Sequence, residues 1–444
     1  MIDHCNRWLL GFAAAYLALL PTNAATFAHS FAYAGAVVFA LVALGLARRL
    51  QPSTLPAPGW TILAPLFAWA AWCLLSTAWS IDPAYSRTQL SREIGDSLVV
   101  MFFFYVAARD PRSFRVLAAT ALASFGALAA LAVAMAFSEG DWDAGRWHHG
   151  VGPWSTWTVL VAPFLFALIA PRPAGFGTGK RSVAIGLALL GLMVATDRMT
   201  DNRIVWVALA GVFGVASLAG AIRWPATLVR TPMRWVSPLV ALLLVLGIAF
   251  TDALRERASL EFPQKPDVAA SIEQDPRIVL WDALRERIEA KPWLGYGFGR
   301  RVLADELSRD LGNPLLAHAH NVFASQWLQT GLIGATLFTA IFIALLYRYT
   351  RFLSSRDDTL AFIGLVGIAL VAGFVIKNLT DDFLFRSNAK EFWALCALLL
   401  GYGTRRAQEV EASTAALAAD LSRREPERPR AAARATAELA DVDR

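Results

Sequence analysis

An all-α fold is what the sequence predicts: a polytopic membrane protein of about twelve transmembrane helices with one large, partly helical periplasmic loop. Three observations carry that expectation. The 444 residues are 56% hydrophobic and only 17% charged, with mean hydropathy +0.46, whereas soluble domains carry about 25% charged residues. Apolar runs of roughly 17–25 residues, the length that crosses a ~30 Å hydrocarbon core, recur along the chain. In lipid the backbone must satisfy its own hydrogen bonds, and runs of this length do so as helices, not barrel strands. Finally, the charges collect between the runs, where topology uses them.

In chain order the runs predict helices at 8–23, 31–47, 60–78, 94–108, 114–137, 154–170, 182–197, 203–221, 235–252, 320–347, 359–379 and 389–403. Arg48 and Arg49, Arg109 with Arg112 and Arg115, Arg172 with Lys180 and Arg181, Arg223 with Arg230 and Arg234, and Arg348 with Arg351 and Arg356 fall in alternate connections. The connections opposite are poorer in Lys and Arg. The positive-inside rule therefore puts the first set in the cytoplasm and, with an even helix count, both termini there too. The first run, between Arg7 and Asn23-Ala24-Ala25, has the outline of a signal peptide; the later helices need no cleaved signal, and cleavage would leave their orientation unchanged. Cys5, Cys73 and Cys396 form no CxxC pair and predict neither a disulfide framework nor a zinc cluster. The net charge of +6 is not a nucleic-acid footprint, because the basic residues are spread among the connections.

The chain thus divides into helices 1–9 over 1–252, a large periplasmic loop over 253–319, helices 10–12 over 320–403 and a charged cytoplasmic tail over 404–444. Loops as long as the second segment are usually functional or disordered. This one has internal structure. Asp275-Pro276 is an N-cap and N1 pair, after which Leu280, Ala283, Leu284, Arg287 and Ile288 repeat at helical spacing. Lys291-Pro292 ends that helix, Gly295-Tyr296-Gly297-Phe298-Gly299 makes an aromatic turn, and a short helix follows over 300–310. The tail, rich in alanine and in balanced charge without an apolar stripe, reads as a solvated helix or disordered chain.

Candidate chemistry gathers on the periplasmic side. His318 and His320 flank Ala319 before Asn321. Residues two apart on a helix point about 200° apart, so both serve one site only if the segment is extended. They read either as two interfacial histidines at a helix end or as a base, the helix N-terminus keeping a ring neutral and able to take a proton from a sugar hydroxyl. A zinc site would need further ligands, and neither a metal nor a cofactor is expected. Arg203 opens the eighth helix and Arg277 the loop helix. Each alone is an interface or solvated charge; together they offer bidentate donors to a diphosphate. Asp381, Asp382 and Arg386 concentrate charge between the last two helices and are possible supporting residues. No GxxxxGK[ST] or GxGxxG loop is present, so a donor must arrive already activated.

Taken as a set, Arg277-x-x-x-Trp281, Pro292-Trp293-Leu294-Gly295-Tyr296-Gly297-Phe298-Gly299, His318-Ala319-His320-Asn321 and Gln329-Thr330-Gly331-Leu332-Ile333-Gly334 resemble the signature of the O-antigen ligase and polymerase superfamily. Lys377-Asn378-Leu379-Thr380-Asp381-Asp382 followed by Arg386 is similar to its ligase branch, while Asn202 stands where the family's Ser-Arg-x-x-Trp-Leu pattern has serine. The resemblance implies a multi-pass protein of the bacterial inner membrane that transfers polysaccharide from undecaprenyl-diphosphate-linked O-antigen to a sugar hydroxyl of lipid A–core, without metal and with inversion. It implies Arg203 and Arg277 as diphosphate binders and His320 as catalytic base, with His318 as the fallback. Membrane lipids are expected partners and nucleic acid is not. The rival readings are an O-antigen polymerase or protein O-oligosaccharyltransferase with the same site, and a transporter, against which stands the absence of a repeat between halves.

Overall fold

The computed structural model describes residues 2–50, 57–140, 142–169, 179–200, 202–226, 276–312 and 316–424, and every regular element among them is helical. The chain begins with α1 (Ile2–Leu19), α2 (Thr26–Leu50) and α3 (Trp60–Ser76). A short α4 (Pro83–Gln89) runs through a wide π-type turn (Leu90–Gly95) into α5 (Asp96–Ala107). Next come α6 (Pro111–Glu139), α7 (Ala144–Trp147) and α8 (Val151–Val161). The last of these tightens into a 3₁₀ turn over Ala162–Leu165 before α9 (Phe166–Ile169), because Pro163 has no N–H to continue the helix ladder. Then follow α10 (Lys180–Met199), α11 (Arg203–Arg223), α12 (Pro276–Ala290), α13 (Ala304–Asp310), α14 (Val322–Leu353), α15 (Asp358–Lys377) and α16 (Arg386–Arg424). Seven of the described helices are long and apolar enough to cross a membrane. The predicted ninth helix at 235–252, the loop up to residue 275 and the tail from 425 lie outside the described residues.

Local chemistry sets the boundaries. Asp110 accepts from the N–H groups of Arg112 (2.9 Å) and Ser113 (2.8 Å) ahead of Pro111, which starts α6 sharply. Asp357 caps α15 through the Leu360 N–H at 2.9 Å. Asn321 caps α14 through Phe323 (2.9 Å) and Ala324 (3.0 Å). That last cap corrects the predicted start of the tenth helix: it begins at Val322, leaving both histidines outside it.

Contacts between helix ends define the two ends of the bundle. Arg223 at the close of α11 reaches Asp358 at the start of α15 (3.2 Å), so these helices run antiparallel. Nearby, Arg406 pairs with Asp357 at 2.7 Å, and Arg405 donates to the carbonyls of Tyr105, Ala108 and Gly401. The opposite end gathers the start of α11, the close of α15 and the start of α14, where the Val322 N–H donates to the Asn378 carbonyl (3.0 Å) and Asn321 Nδ2 to that of Leu379 (2.9 Å). Between apolar helices in lipid, close packing replaces the hydrophobic drive. A Cβ at Gly373 would overlap Val212 of α11, and one at Gly367 would overlap Tyr349 of α14, so α15 can lie tightly between both.

Candidate active site

The site is built on an interruption of α14. At Gly331 the backbone turns to φ 68°, ψ −176°, a region that only glycine adopts readily, and the regular ladder breaks. The freed groups are taken up by the aromatic turn that follows α12. The Tyr296 N–H donates to the Leu328 carbonyl (3.0 Å) and the Gly297 N–H to that of Gln329 (2.8 Å), while the Leu332 N–H donates to the Pro292 carbonyl (2.8 Å). Trp72 Nε1 on α3 donates to the Thr330 carbonyl at 2.8 Å. Gln329 Oε1 accepts from the Gly299 N–H at 2.8 Å, and Ser76 Oγ from that of Phe298 at 3.1 Å. The two stretches Pro292–Gly299 and Gln329–Gly331 therefore form one clamp.

Arg300 is the first residue beyond it. The clamp aims its guanidinium inward, where Nη2 donates to His318 Nε2 and Nε lies 3.4 Å from Asp382 Oδ2. Phe383 and Phe385 cover it, their ring centres 5.4 and 5.0 Å from the guanidinium carbon. On the next turn of chain, Trp281 Nε1 on α12 holds the Ala319 carbonyl at 3.1 Å. His320 takes a left-handed φ of 48°, and the segment is not helical. That geometry brings both imidazoles to one side, with ring centres 3.9 Å apart. A non-helical, left-handed turn, rather than an extended strand, is what puts the two rings together.

The two histidines are not equivalent. Arg300 can only donate, so His318 Nε2 must be the acceptor of a neutral ring. Burial first, then the charge of Arg300, the neighbouring His320 and Arg301 pull His318 down to about 2. A nitrogen so engaged is a poor base near neutral pH.

The supporting carboxylates also divide. Asp381 pairs with the fully buried Lys377, one turn back on α15, whereas Asp382 faces Arg300. Arg386 lies beyond Phe385, and its backbone N–H donates to Glu93 Oε2 at 2.9 Å. Arg203 opens α11 at this same end. Asn202 before it donates to Ser155 Oγ of α8 at 2.9 Å, and a Cβ at Gly152 of α8 would overlap the Phe383 ring. Arg277 occupies the second position of α12, one turn before Trp281; its side chain lies outside the described residues. Among the described residues no group of His, Cys, Asp and Glu is arranged to hold a metal ion. Sequence reasoning missed Arg300 and Glu93. Arg300 stood directly after the aromatic–glycine turn, which was the available signal; nothing in a 3.6-residue period announces a π turn.

Residues 164–339 match the family model described as O-antigen ligase. That match, over less than half of the chain, supports a likeness to the O-antigen ligase and polymerase superfamily. Members are glycosyltransferase-type enzymes acting on lipid-linked polysaccharide in a membrane. The matched stretch contains Arg203, Arg277, the clamp, Arg300 and both histidines, and it stops before Asp381, Asp382 and Arg386. No curated protein matches the chain.

Proposed function

We propose that the protein is an O-antigen ligase, joining a glycan carried on undecaprenyl diphosphate to a sugar hydroxyl of lipid A–core at the periplasmic face of the inner membrane. Twelve spans, cytoplasmic termini and a periplasmic loop over 253–319 belong to this reading. What carries it is the His318–His320–Arg300–Asp382 cluster, at the bundle end that also holds Arg203 and, through Trp281, the start of α12.

His318 is neutral and its acceptor nitrogen is occupied by Arg300, so the role of base falls to His320. The acceptor hydroxyl attacks the anomeric carbon from the face opposite the leaving group. An acceptor-oxygen–carbon bond forms, the bond from carbon to the diphosphate oxygen breaks, and the hydroxyl proton passes to the His320 imidazole. Arg203 and Arg277 bind the diphosphate and offset the charge that builds on it. No metal is required in this scheme, and inversion follows from a single displacement. Arg300 and Asp382 hold His318 in place, and His318 in turn packs against the ring of the base.

With purified donor and acceptor, His320→Ala and Arg203→Ala protein should purify as folded wild type and lose glycan transfer by 100-fold or more, on the order of what general-base or electrostatic contacts supply. Full activity in both variants would remove the assignment. Deletion in cells separates the ligase from its relatives. Loss of all lipid-linked polymer, with polymer still held on the carrier, marks a ligase; retention of a single repeat on lipid A marks a polymerase.

A further inference from the structure

Beside the histidine cluster lies a cavity of about 400 Å³, within the range of small-ligand pockets. Its walls are the turn from α1 to α2 around Asn23, the π turn with Arg92 and Glu93, His149 ahead of α8, and the start of α16 with Arg386 and Lys390. These walls are fixed. Asn23 Nδ2 donates to the carbonyls of Gly145 (2.6 Å) and His148 (2.9 Å), and Arg386 N–H holds Glu93 Oε2. π turns inside helices are frequently found at functional sites. This one turns Arg92 and Glu93 toward the same cavity as Arg386.

The lining chemistry is that of a charged sugar site. Lys390 is matched by Asp96 at 2.7 Å, so Arg92 and Arg386 stand in excess against Glu93. Burial pushes Glu93 up to about 7, against the opposing pull of the Arg386 N–H and of Lys390, Arg386 and Arg300, so near neutral pH its carboxyl can donate as well as accept. Asn23, Thr22, Gln89 and Ser387 add neutral hydrogen-bonding groups.

The cavity adjoins the histidine cluster through one ring. Phe385 lies 5.0 Å from the Arg300 guanidinium carbon and 4.8 Å from that of Arg386. Phe383 leads from Arg300 the other way, to Gly152 of α8 and so toward Asn202 and Arg203, where the diphosphate is assigned. We propose that this cavity is the acceptor subsite and takes an anionic sugar, its phosphate or carboxylate held between Arg92 and Arg386 and its hydroxyls by Glu93 and Asn23. The proposal rests on the transferase reading of the neighbouring cluster, but binding can be measured without transfer.

The test is titration of the full-length protein in lipid nanodiscs with a hexose phosphate, a hexuronate, the neutral hexose and inorganic phosphate. A charge-assisted contact is worth about 1.5–3 kcal/mol, so one anionic sugar should bind at least about tenfold more tightly than neutral hexose. Whether phosphate or uronate is preferred identifies the anion. Arg92 is exposed, and Arg92→Gln should fold, lose that preference and raise acceptor KM about tenfold while donor KM stays put. His320→Ala should keep the sugar binding and lose transfer. Equal binding of charged and neutral sugars, inorganic phosphate binding as tightly as the sugar phosphate, or an unaltered Arg92→Gln protein would overturn the subsite. Sugar binding in a protein without transfer activity would instead sink the ligase reading and leave the subsite standing.

Discussion

Arg300 occupies a place that lysine cannot fill. One guanidinium serves the His318 ring, the Asp382 carboxylate and the faces of Phe383 and Phe385 together, which needs a planar group with several fixed donors. With its side chain only 14% exposed and that of Asp382 6%, removing one partner strands the other charge. Arg300→Met should cost about 3 kcal/mol of stability, and Arg300→Met with Asp382→Leu should recover most of it, measured by denaturation in detergent. His318 makes a separate prediction with a definite sign. Its folded value of about 2 lies below the ordinary histidine value of 6.5, so the unfolded chain binds the proton first as pH falls. The stability it protects is complete above 6.5 and drains away as pH falls toward 2, at up to about 1.4 kcal/mol per pH unit. His318→Gln should flatten the fall in melting temperature between pH 6.5 and 4.5. An unchanged acid slope would show that the ring is not held neutral.

At the scale of elements, the clamp decides where Arg300 points. α14 gives up part of its ladder at Gly331, and the aromatic turn and Trp72 satisfy the exposed carbonyls. A Cβ at Gly331 would be strained by its backbone angles and would overlap the Trp293 carbonyl. Gly331→Ala should therefore destabilise by about 1–3 kcal/mol from the backbone alone. Trp72→Phe removes the indole donor and part of the ring, at about 1–3 kcal/mol, and tests the same clamp without straining the backbone. Both should lower transfer more than substrate binding, as single-turnover assays would reveal. α12 and α13 are tied to the clamp by a small core of their own, in which Leu280, Leu284, Leu303 and Leu307 pack with Leu328 of α14.

For the whole molecule, the two ends of the bundle differ in kind. One carries Arg223–Asp358, Arg406–Asp357 and Arg109 beside Asp3; the other carries the histidine cluster and the cavity beside it. If the membrane lies between them, they face different compartments. All three native cysteines are buried, so an added thiol can be read against a quiet background. Glu306→Cys on α13 should react with an impermeant maleimide in outer-membrane-permeabilised cells, and Gln408→Cys on α16 only after lysis. Equal labelling of both would refute the proposed topology.

The sequence by itself determined that the chain is helical and membrane-bound, because apolar length and charge placement are properties of a linear string. It also marked the stretches that matter: both histidines, the aromatic–glycine turn and Gly331 were legible as motifs. Tertiary structure alone decided their relations. That His318 and His320 face one way follows from a left-handed turn and a cap at Asn321, neither of which a two-residue spacing reveals. That the His318 ring is held follows from Arg300, eighteen residues earlier in the chain. Asp381 and Asp382, adjacent in sequence, serve different partners because one faces Lys377 on α15 and the other faces Arg300 beyond the clamp. Electrostatic roles depend on distance and burial, and in this protein both are set by segments far apart in the chain.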